Sequence, residues 1–274
     1  MTSSIPHEAE LATYLAYALT HNQLKLYAQH LVDVASEKVV SAEVLLRVPQ
    51  PQKLSLENKT GSPILSVPIL TEQWIEAASH QGLIEPLTEW LIKQVAQFLK
   101  KSAPLVNIPL SINAPPSILT PNFVKFLEDI LATYDVSPSL IMIEITENQK
   151  PLDLKALNNV INDLRAMGVK IIIDDFGSGY ATMTYLVDLS VDAVKIDRSF
   201  VQKATDQSCA YSVLKSLIEL AKEVGLQVIC EGIENRQQFD LVKKLGSDVV
   251  QGYLFSRPMP LEMALNEWKQ HQSS

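Results

Sequence analysis

Two adjacent carboxylates, Asp174 and Asp175, follow three consecutive isoleucines and open the glycine turn Phe176-Gly177-Ser178-Gly179-Tyr180. A β-branched run of this kind suits a strand buried on both faces. Acids at the end of such a strand lose hydration, and they stay ionised there only beside a compensating cation. A metal-binding mouth at the carboxyl end of a buried strand answers that need. An ordinary strand-to-helix loop capped by Asp174 or Asp175 is the competing reading of this segment alone.

Other short apolar runs carry polar residues in the same way. In Ala42-Glu43-Val44-Leu45-Leu46-Arg47, period-two alternation puts Glu43, Leu45 and Arg47 on one face. Leu110-Ser111-Ile112-Asn113, Ile143-Glu144-Ile145-Thr146-Glu147 and Val194-Lys195-Ile196-Asp197 repeat the pattern. So do Cys230-Glu231-Gly232-Ile233-Glu234 and Val250-Gln251-Gly252-Tyr253. Each has a purely structural reading: Glu43 could pair with Arg47 or Lys195, Asn113 could cap a helix starting near Pro115, and Lys195 could neutralise one acid. Taken together, the acids outnumber the lysine and the arginine by far more than core ion pairing requires. Surplus inward carboxylates plus an asparagine carbonyl form an all-oxygen ligand set for hard cations such as Mg²⁺ or Mn²⁺. The scarcity of histidine and the lack of a Cys-x-x-Cys argue against zinc.

These groups need a scaffold that brings strand ends together. Strands are expected over 24–34, 39–48, 105–113, 140–147, 169–175, 193–200, 226–233 and 249–256. Helices are expected over 152–167, ended by Gly168, and over 208–224, ended by Gly225; a helical region spans roughly 71–100. Alternating strands and helices in about equal number favour an α/β architecture, a (βα)8 barrel, over a doubly wound open sheet. No Gly-x-Gly-x-x-Gly follows the first strand, which weakens a dinucleotide fold further. The residues between 34 and 39 are too few for a parallel crossover, so the first two strands must form a hairpin with one strand antiparallel to the rest. Residues 49–68, rich in Pro, Ser, Asn and Lys, read as a long surface loop.

With 274 residues, 47% apolar and 20% charged, the chain has the composition of an ordinary globular protein with a sizeable core. One domain over 1–274 is expected, with no separate sensory module. A net charge of −8 argues against a polymeric nucleic acid partner, yet bound divalent ions would reverse the sign locally and admit a small phosphorylated ligand. No apolar run is long enough to cross a bilayer, and residues 1–10 lack the plan of a signal peptide, so a cytoplasmic location without membrane insertion is expected. Cys209 and Cys230 make no disulfide framework.

The motifs Glu43-Val44-Leu45, Asn113, Glu144-Ile-Thr-Glu147, Asp174-Asp-Phe-Gly-Ser-Gly179, Lys195-Ile-Asp197, Glu231-Gly-Ile-Glu234 and Gln251-Gly-Tyr253 resemble those of the EAL-domain cyclic di-GMP phosphodiesterases. The similarity covers about 24–260. It implies a TIM-like barrel with one antiparallel strand near the N-terminus and two Mg²⁺ or Mn²⁺ ions per site. Glu43, Asn113, Glu144 and Asp174 would hold one ion, with Asp174 bridging to a second completed by Asp175 and Glu231. Lys195 would polarise the attacking water, and Glu231 or Gln251 would help position it. Gln29, Leu45, Arg47 and Asp197 would contact cyclic di-GMP, which would be opened to linear pGpG. Glu147 would support the loop 174–180, linked in this family to a homodimer interface. A catalytically inactive cyclic di-GMP receptor or protein-interaction module is the alternative, and its hallmark, missing acids, is absent here. The chain departs from the family at Val44, Asn235 and Cys230, and in the 74–84 segment, which lacks the usual proline and paired acids; no departure touches an implied metal ligand.

Overall fold

The computed structural model describes residues 8–49, 71–103, 107–146, 153–178, 182–204 and 208–272. Packing divides the chain into two compact units, one formed from 1–27 and 46–91 and the other from 28–45 and 92–274. Helices α1 (Glu8–Thr20) and α2 (Thr71–His80) belong to the first unit. There Leu11, Leu15, Trp74, Ala77 and Ala78 share one buried cluster, and the ring of Tyr14 lies 5.6 Å from that of Trp74. The helical region expected over 71–100 is two helices, because Gly82 turns with a φ of 70° before α3 (Ile84–Ser102) begins.

The second unit is built on the strands β1 (Lys25–Asp33), β2 (Val39–Arg47), β3 (Leu110–Asn113), β4 (Ile141–Thr146), β5 (Lys170–Phe176), β6 (Ala193–Ile196), β7 (Gln227–Cys230) and β8 (Val249–Gln251), except that residues 25–27 of β1 and 46–47 of β2 are counted with the first unit. They follow one another in the order β2 to β8, then β1, and β1 pairs back with β2, so the sheet closes as an eight-stranded barrel. All successive pairs from β2 to β8 are parallel, whereas β1 meets β8 antiparallel, Leu31 opposite Gln251. The hairpin and the single antiparallel strand read from the short 34–39 connection are both present. A two-residue strand, β9 (Met259–Pro260), follows β1 in the sheet order.

Helices α4 (Pro121–Tyr134), α5 (Leu154–Met167), α6 (Thr182–Asp188), α7 (Arg198–Lys203), α8 (Cys209–Glu223), α9 (Arg236–Leu245) and α10 (Leu261–Gln272) complete the unit. Their ends follow from local chemistry. Asp153 accepts from the amides of Lys155 and Ala156 to start α5, and Gly168 ends it at a φ of 101°. Asn235 and Gln238 form a reciprocal capping box at α9. Three expected strands end early, the 226–233 run among them at Cys230. Asp197 caps α7 through the amide of Ser199, so the 193–200 run stops at Ile196. The 249–256 run stops at Gln251, because Phe255 and Ser256 both bond back to the Gly252 carbonyl. The 49–68 loop lies, but for its first residue, outside the described residues.

Leu31, Met142, Ile172, Ala193, Ile229 and Val249 form one buried apolar cluster. Six residues from six strands meet in this way only inside the barrel. Two positions further along each parallel strand, on the same face, stand Glu144, Asp174, Lys195, Glu231 and Gln251. On antiparallel β1 the same step runs backwards, from Leu31 to Gln29. The apolar layer is thus the floor of a polar one at the carboxyl ends of the strands.

Candidate active site

Lys195 stands at the centre of that polar layer. Its side chain is 1% exposed, and its Nζ lies 2.6 Å from Glu231 Oε1, 2.9 Å from Glu144 Oε2, 3.2 Å from Glu43 Oε2 and 3.2 Å from Asp174 Oδ1. An ammonium has three protons to donate, so four carboxylates cannot all be hydrogen-bonded to it. Asp174 Oδ1 is the one left with a charge contact and no hydrogen bond. Burial opposes the charge on Lys195, but Asp174, Glu144, Glu231 and Glu43 outweigh it and push its pKa well above the lysine range.

The two aspartates reach the interior together through a local irregularity. Pleating alone would send adjacent residues to opposite faces. The pairing of β5 with β6 shifts register between Ile173 and Phe176, and Asp175 takes a left-handed φ of 55°. Such a bulge re-aims a side chain at modest cost, about 1 kcal/mol for a residue that tolerates this conformation. As a result one carboxylate oxygen each of Asp174, Asp175 and Glu231 lie within 4.8 Å of one another.

Asp175, Glu231 and Glu144 are held short of their ordinary ionisation. Burial and then the charge of Asp174 and Asp197 raise Asp175 to about 6. Burial raises Glu231 to about 7; Lys195 opposes the rise, while Asp174 and Glu43 add to it. Glu144, wholly buried, is pushed well above the carboxylate range by its burial, against the pull of Lys195 and with the repulsion of Glu43 and Asp174. Glu43 alone goes the other way. Burial disfavours its charge too, but Lys195 and the hydrogen bonds from Gln251, Asn113 and Lys195 lower its pKa.

The neutral residues are fixed around Glu43. Asn113 Nδ2 donates to Glu43 Oε1 at 3.0 Å, and Gln251 Nε2 donates to Glu43 Oε2 at 2.7 Å. Asn113 therefore does not cap the short helical turn at Pro116–Ile118, where no side-chain cap is made. Gln251 Nε2 also donates to Gln29 Oε1 at 3.1 Å, and Gln29 Nε2 donates to the Ser256 carbonyl at 3.0 Å. Two further residues join this layer without having been picked out as site residues by the sequence. Ser111 is fully buried and in register with Glu43, which its alternation with Asn113 signals. Ser256 gave no such signal, because it lies beyond the strand in a turn.

Glu43, Asn113, Glu144, Asp174, Asp175, Lys195, Glu231, Gln251 and Gln29 are all part of the second unit. Leu45 is half-buried on β2, and Asp197 caps α7 while its charge acts on Asp175. Arg47 belongs to the first unit, where its guanidinium lies 5.3 Å from the centre of the Tyr27 ring and Nη1 donates to the Leu46 carbonyl. Glu147, Gly179 and Tyr180 lie outside the described residues. Cys230, fully buried with its thiol pushed up to about 12 by burial, is an inert neighbour of Glu231.

Residues 13–258 match the EAL domain family. The chain belongs to that family. It is 33% identical over 263 residues to the cyclic di-GMP phosphodiesterase PA2567 of Pseudomonas aeruginosa, a match covering 94% of this chain and 42% of that protein. It is likewise 33% identical to the probable cyclic di-GMP phosphodiesterase PdeB of Escherichia coli, over 93% of this chain and 46% of the relative. The chain thus spans less than half the length of these two relatives. Among solved structures, the EAL enzyme Bd1971 in its cAMP- and cyclic-di-GMP-bound form superposes with a TM-score of 0.83 at 28% identity, covering 96% of this chain and 69% of that one. The PaMucR phosphodiesterase in complex with c-di-GMP gives 0.81 at 28% identity, covering 93% and 99%. Among the described residues no helix is long and apolar enough to cross a membrane.

Proposed function

We propose that this chain hydrolyses cyclic di-GMP to linear pGpG using two divalent ions, Mg²⁺ or Mn²⁺, at the carboxyl end of the barrel. The observation that carries the reading is the crowding of Glu43, Glu144, Asp174 and Glu231 on the single ammonium of Lys195, with Asp175 drawn in beside them. One cation cannot balance five buried or half-buried acids; burial first, and the repulsion of neighbouring acids after it, raises the pKa of Asp175, Glu231 and Glu144. The residues fit hard cations. Glu144 Oε1 is buried without a hydrogen bond, and so is Asp174 Oδ1. Asn113 spends its amide on Glu43, which leaves its carbonyl oxygen to a cation.

Glu43, Asn113, Glu144 and Asp174 would hold one ion, and Asp174, Asp175 and Glu231 the other. When bound, the ions supply positive charge that acidifies water and draws electron density from the phosphodiester. The chain's own residues do the rest. Lys195 adds a positive charge where negative charge grows on phosphorus in the transition state. Glu231 and Gln251 hold the attacking water beside Lys195. The apolar floor formed by Met142, Ile172, Ala193, Ile229 and Val249 closes the site to bulk water from below and keeps the effective dielectric low. Leu45 and Asp197 are proposed as contacts to the rest of the substrate; the planar fork of Arg47 is of the kind that suits a phosphate or guanine edge.

The test is incubation of the purified protein with cyclic di-GMP in Mg²⁺, in Mn²⁺ and in EDTA, with products separated by chromatography. Metal-dependent appearance of pGpG is expected. Tight binding of cyclic di-GMP without any metal-dependent product would overturn the hydrolytic reading in favour of a receptor.

A further inference from the structure

Gln251 makes two donor contacts through one nitrogen, to Gln29 Oε1 and to Glu43 Oε2, while its Oε1 is buried with no hydrogen-bond partner among the described residues. Which end of an amide points where is decided by its neighbours' chemistry. Here both ends of the chain of contacts are fixed. The Ser256 carbonyl can only accept, so Gln29 must present Nε2 to it and Oε1 to Gln251. Both oxygens of Glu43 already face donors, Asn113 Nδ2 at 3.0 Å and Lys195 Nζ at 3.2 Å, so towards Gln251 this carboxylate also accepts. Gln251 is thus offered acceptors on two sides, and both of its N–H groups are used there. Its carbonyl oxygen is left over by elimination.

Ser256 is itself pinned. Its Oγ accepts the backbone amide of His30 at 3.0 Å, next to Gln29 on β1, and the turn at Gly252 accepts its own amide at 3.1 Å. Gln29, Gln251 and Ser256 are 8%, 5% and 7% exposed, so bulk water does not compete for these bonds. Gly252 holds the turn close: a Cβ there would run into the backbone of Ile233.

We infer that Gln29 and Ser256 are positioning residues that set the amide orientation of Gln251, so that the buried Gln251 Oε1 accepts a hydrogen bond from the attacking water. This deepens the phosphodiesterase reading and rests on it for the identity of that donor. It also gives Gln29 a different part from a substrate contact, since both ends of its amide are engaged by protein groups. A carbonyl acceptor at this point orients one O–H of the water and turns its lone pair elsewhere, which contributes to rate and not to substrate affinity.

Two measurements test it. In metal-free protein labelled with ¹⁵N-glutamine, both side-chain amide protons of Gln251 should exchange slowly, and Gln29→Met should speed exchange of one of them by about tenfold or more. Resonances are assigned by their loss in Gln251→Leu. If Gln29→Met leaves both protons unchanged, or if one already exchanges freely in the wild type, the orientation is reversed and the inference fails. In the active enzyme, Gln29→Met should lower kcat about tenfold while leaving KM and Mn²⁺ affinity within about twofold. A rise in KM with kcat intact would make Gln29 a substrate contact and overturn the positioning role. A wild type without any metal-dependent turnover would sink the phosphodiesterase reading instead, and the exchange experiment would still decide the amide orientation.

Discussion

At the amino ends of the barrel strands, Asp192 and Asp248 are each answered by one cation and one backbone amide. Asp192 takes Arg165 Nη2 at 2.8 Å and the Ile171 amide at 2.8 Å; Asp248 takes Lys222 Nζ at 2.6 Å and the Val228 amide at 2.8 Å. Each aspartate precedes one strand and ties down the start of its neighbour, β6 to β5 and β8 to β7. At the carboxyl ends of the same strands, five acids face one lysine. The first arrangement stabilises the barrel in a balanced way. The second is a surplus of negative charge that the barrel tolerates, and a tolerated imbalance in a buried place is where a charged ligand belongs.

Lys195→Met would test the imbalance most severely. Removing the sole cation among these acids should cost about 3–5 kcal/mol of stability in EDTA at neutral pH, read from denaturant unfolding. Activity should fall about a thousandfold or more even with saturating Mn²⁺. A variant that kept near wild-type turnover would show that the ions alone suffice and that Lys195 is structural.

The pH dependence sharpens the contrast further. Asp175 and Glu231 ionise near 6 and 7 in the folded metal-free protein, against ordinary values of 3.8 and 4.5. Raised carboxylate pKa values favour the fold while the groups are protonated, so this stability is present below the ordinary values and is lost as pH rises through 6 and 7. Glu231→Gln should therefore raise the stability of EDTA-treated protein at pH 7.5 by a few kcal/mol at most, and do nothing at pH 4. The same variant should lose most of the Tm increase that Mn²⁺ gives the wild type. Mn²⁺ affinity of the wild type should fall as pH drops from 8 to 5.5, because protons compete for the same oxygens. Affinity independent of pH over that range would mean the ions, if bound, lie elsewhere.

The smallest effect is expected at the balanced end. Asp192→Ala removes the acceptor for the Ile171 amide and a half-exposed partner of Arg165, and should cost about 1–2 kcal/mol without altering Mn²⁺ binding. A change in metal affinity in that variant would show that the two ends of the strands are coupled and not separate in function.

The strand runs and their alternation were legible in the sequence because a pleat needs only near neighbours to declare which residues share a face. That is why Glu43, Asn113, Glu144, Lys195 and Gln251 could be placed on inward faces, and why the short 34–39 connection already required an antiparallel strand. Strand lengths were less legible. Asp197 and Gly252 end their strands through a cap and a turn, and β-branched or aromatic residues beyond them, such as Phe200 and Tyr253, still read as extended.

What the sequence determined by itself was an excess of acids over bases at the ends of several second-unit strands and the periodicity that turns them inward. Only the tertiary structure decided how they meet. A register shift and one left-handed aspartate bring Asp174 and Asp175 to the same side. Closure of the sheet puts Gln251 against Glu43, 208 residues away, and sets Lys195 among four carboxylates. The reason is physical: a face is a property of consecutive residues, whereas the charge balance around a buried group is a property of everything the closed barrel brings within a few ångströms of it.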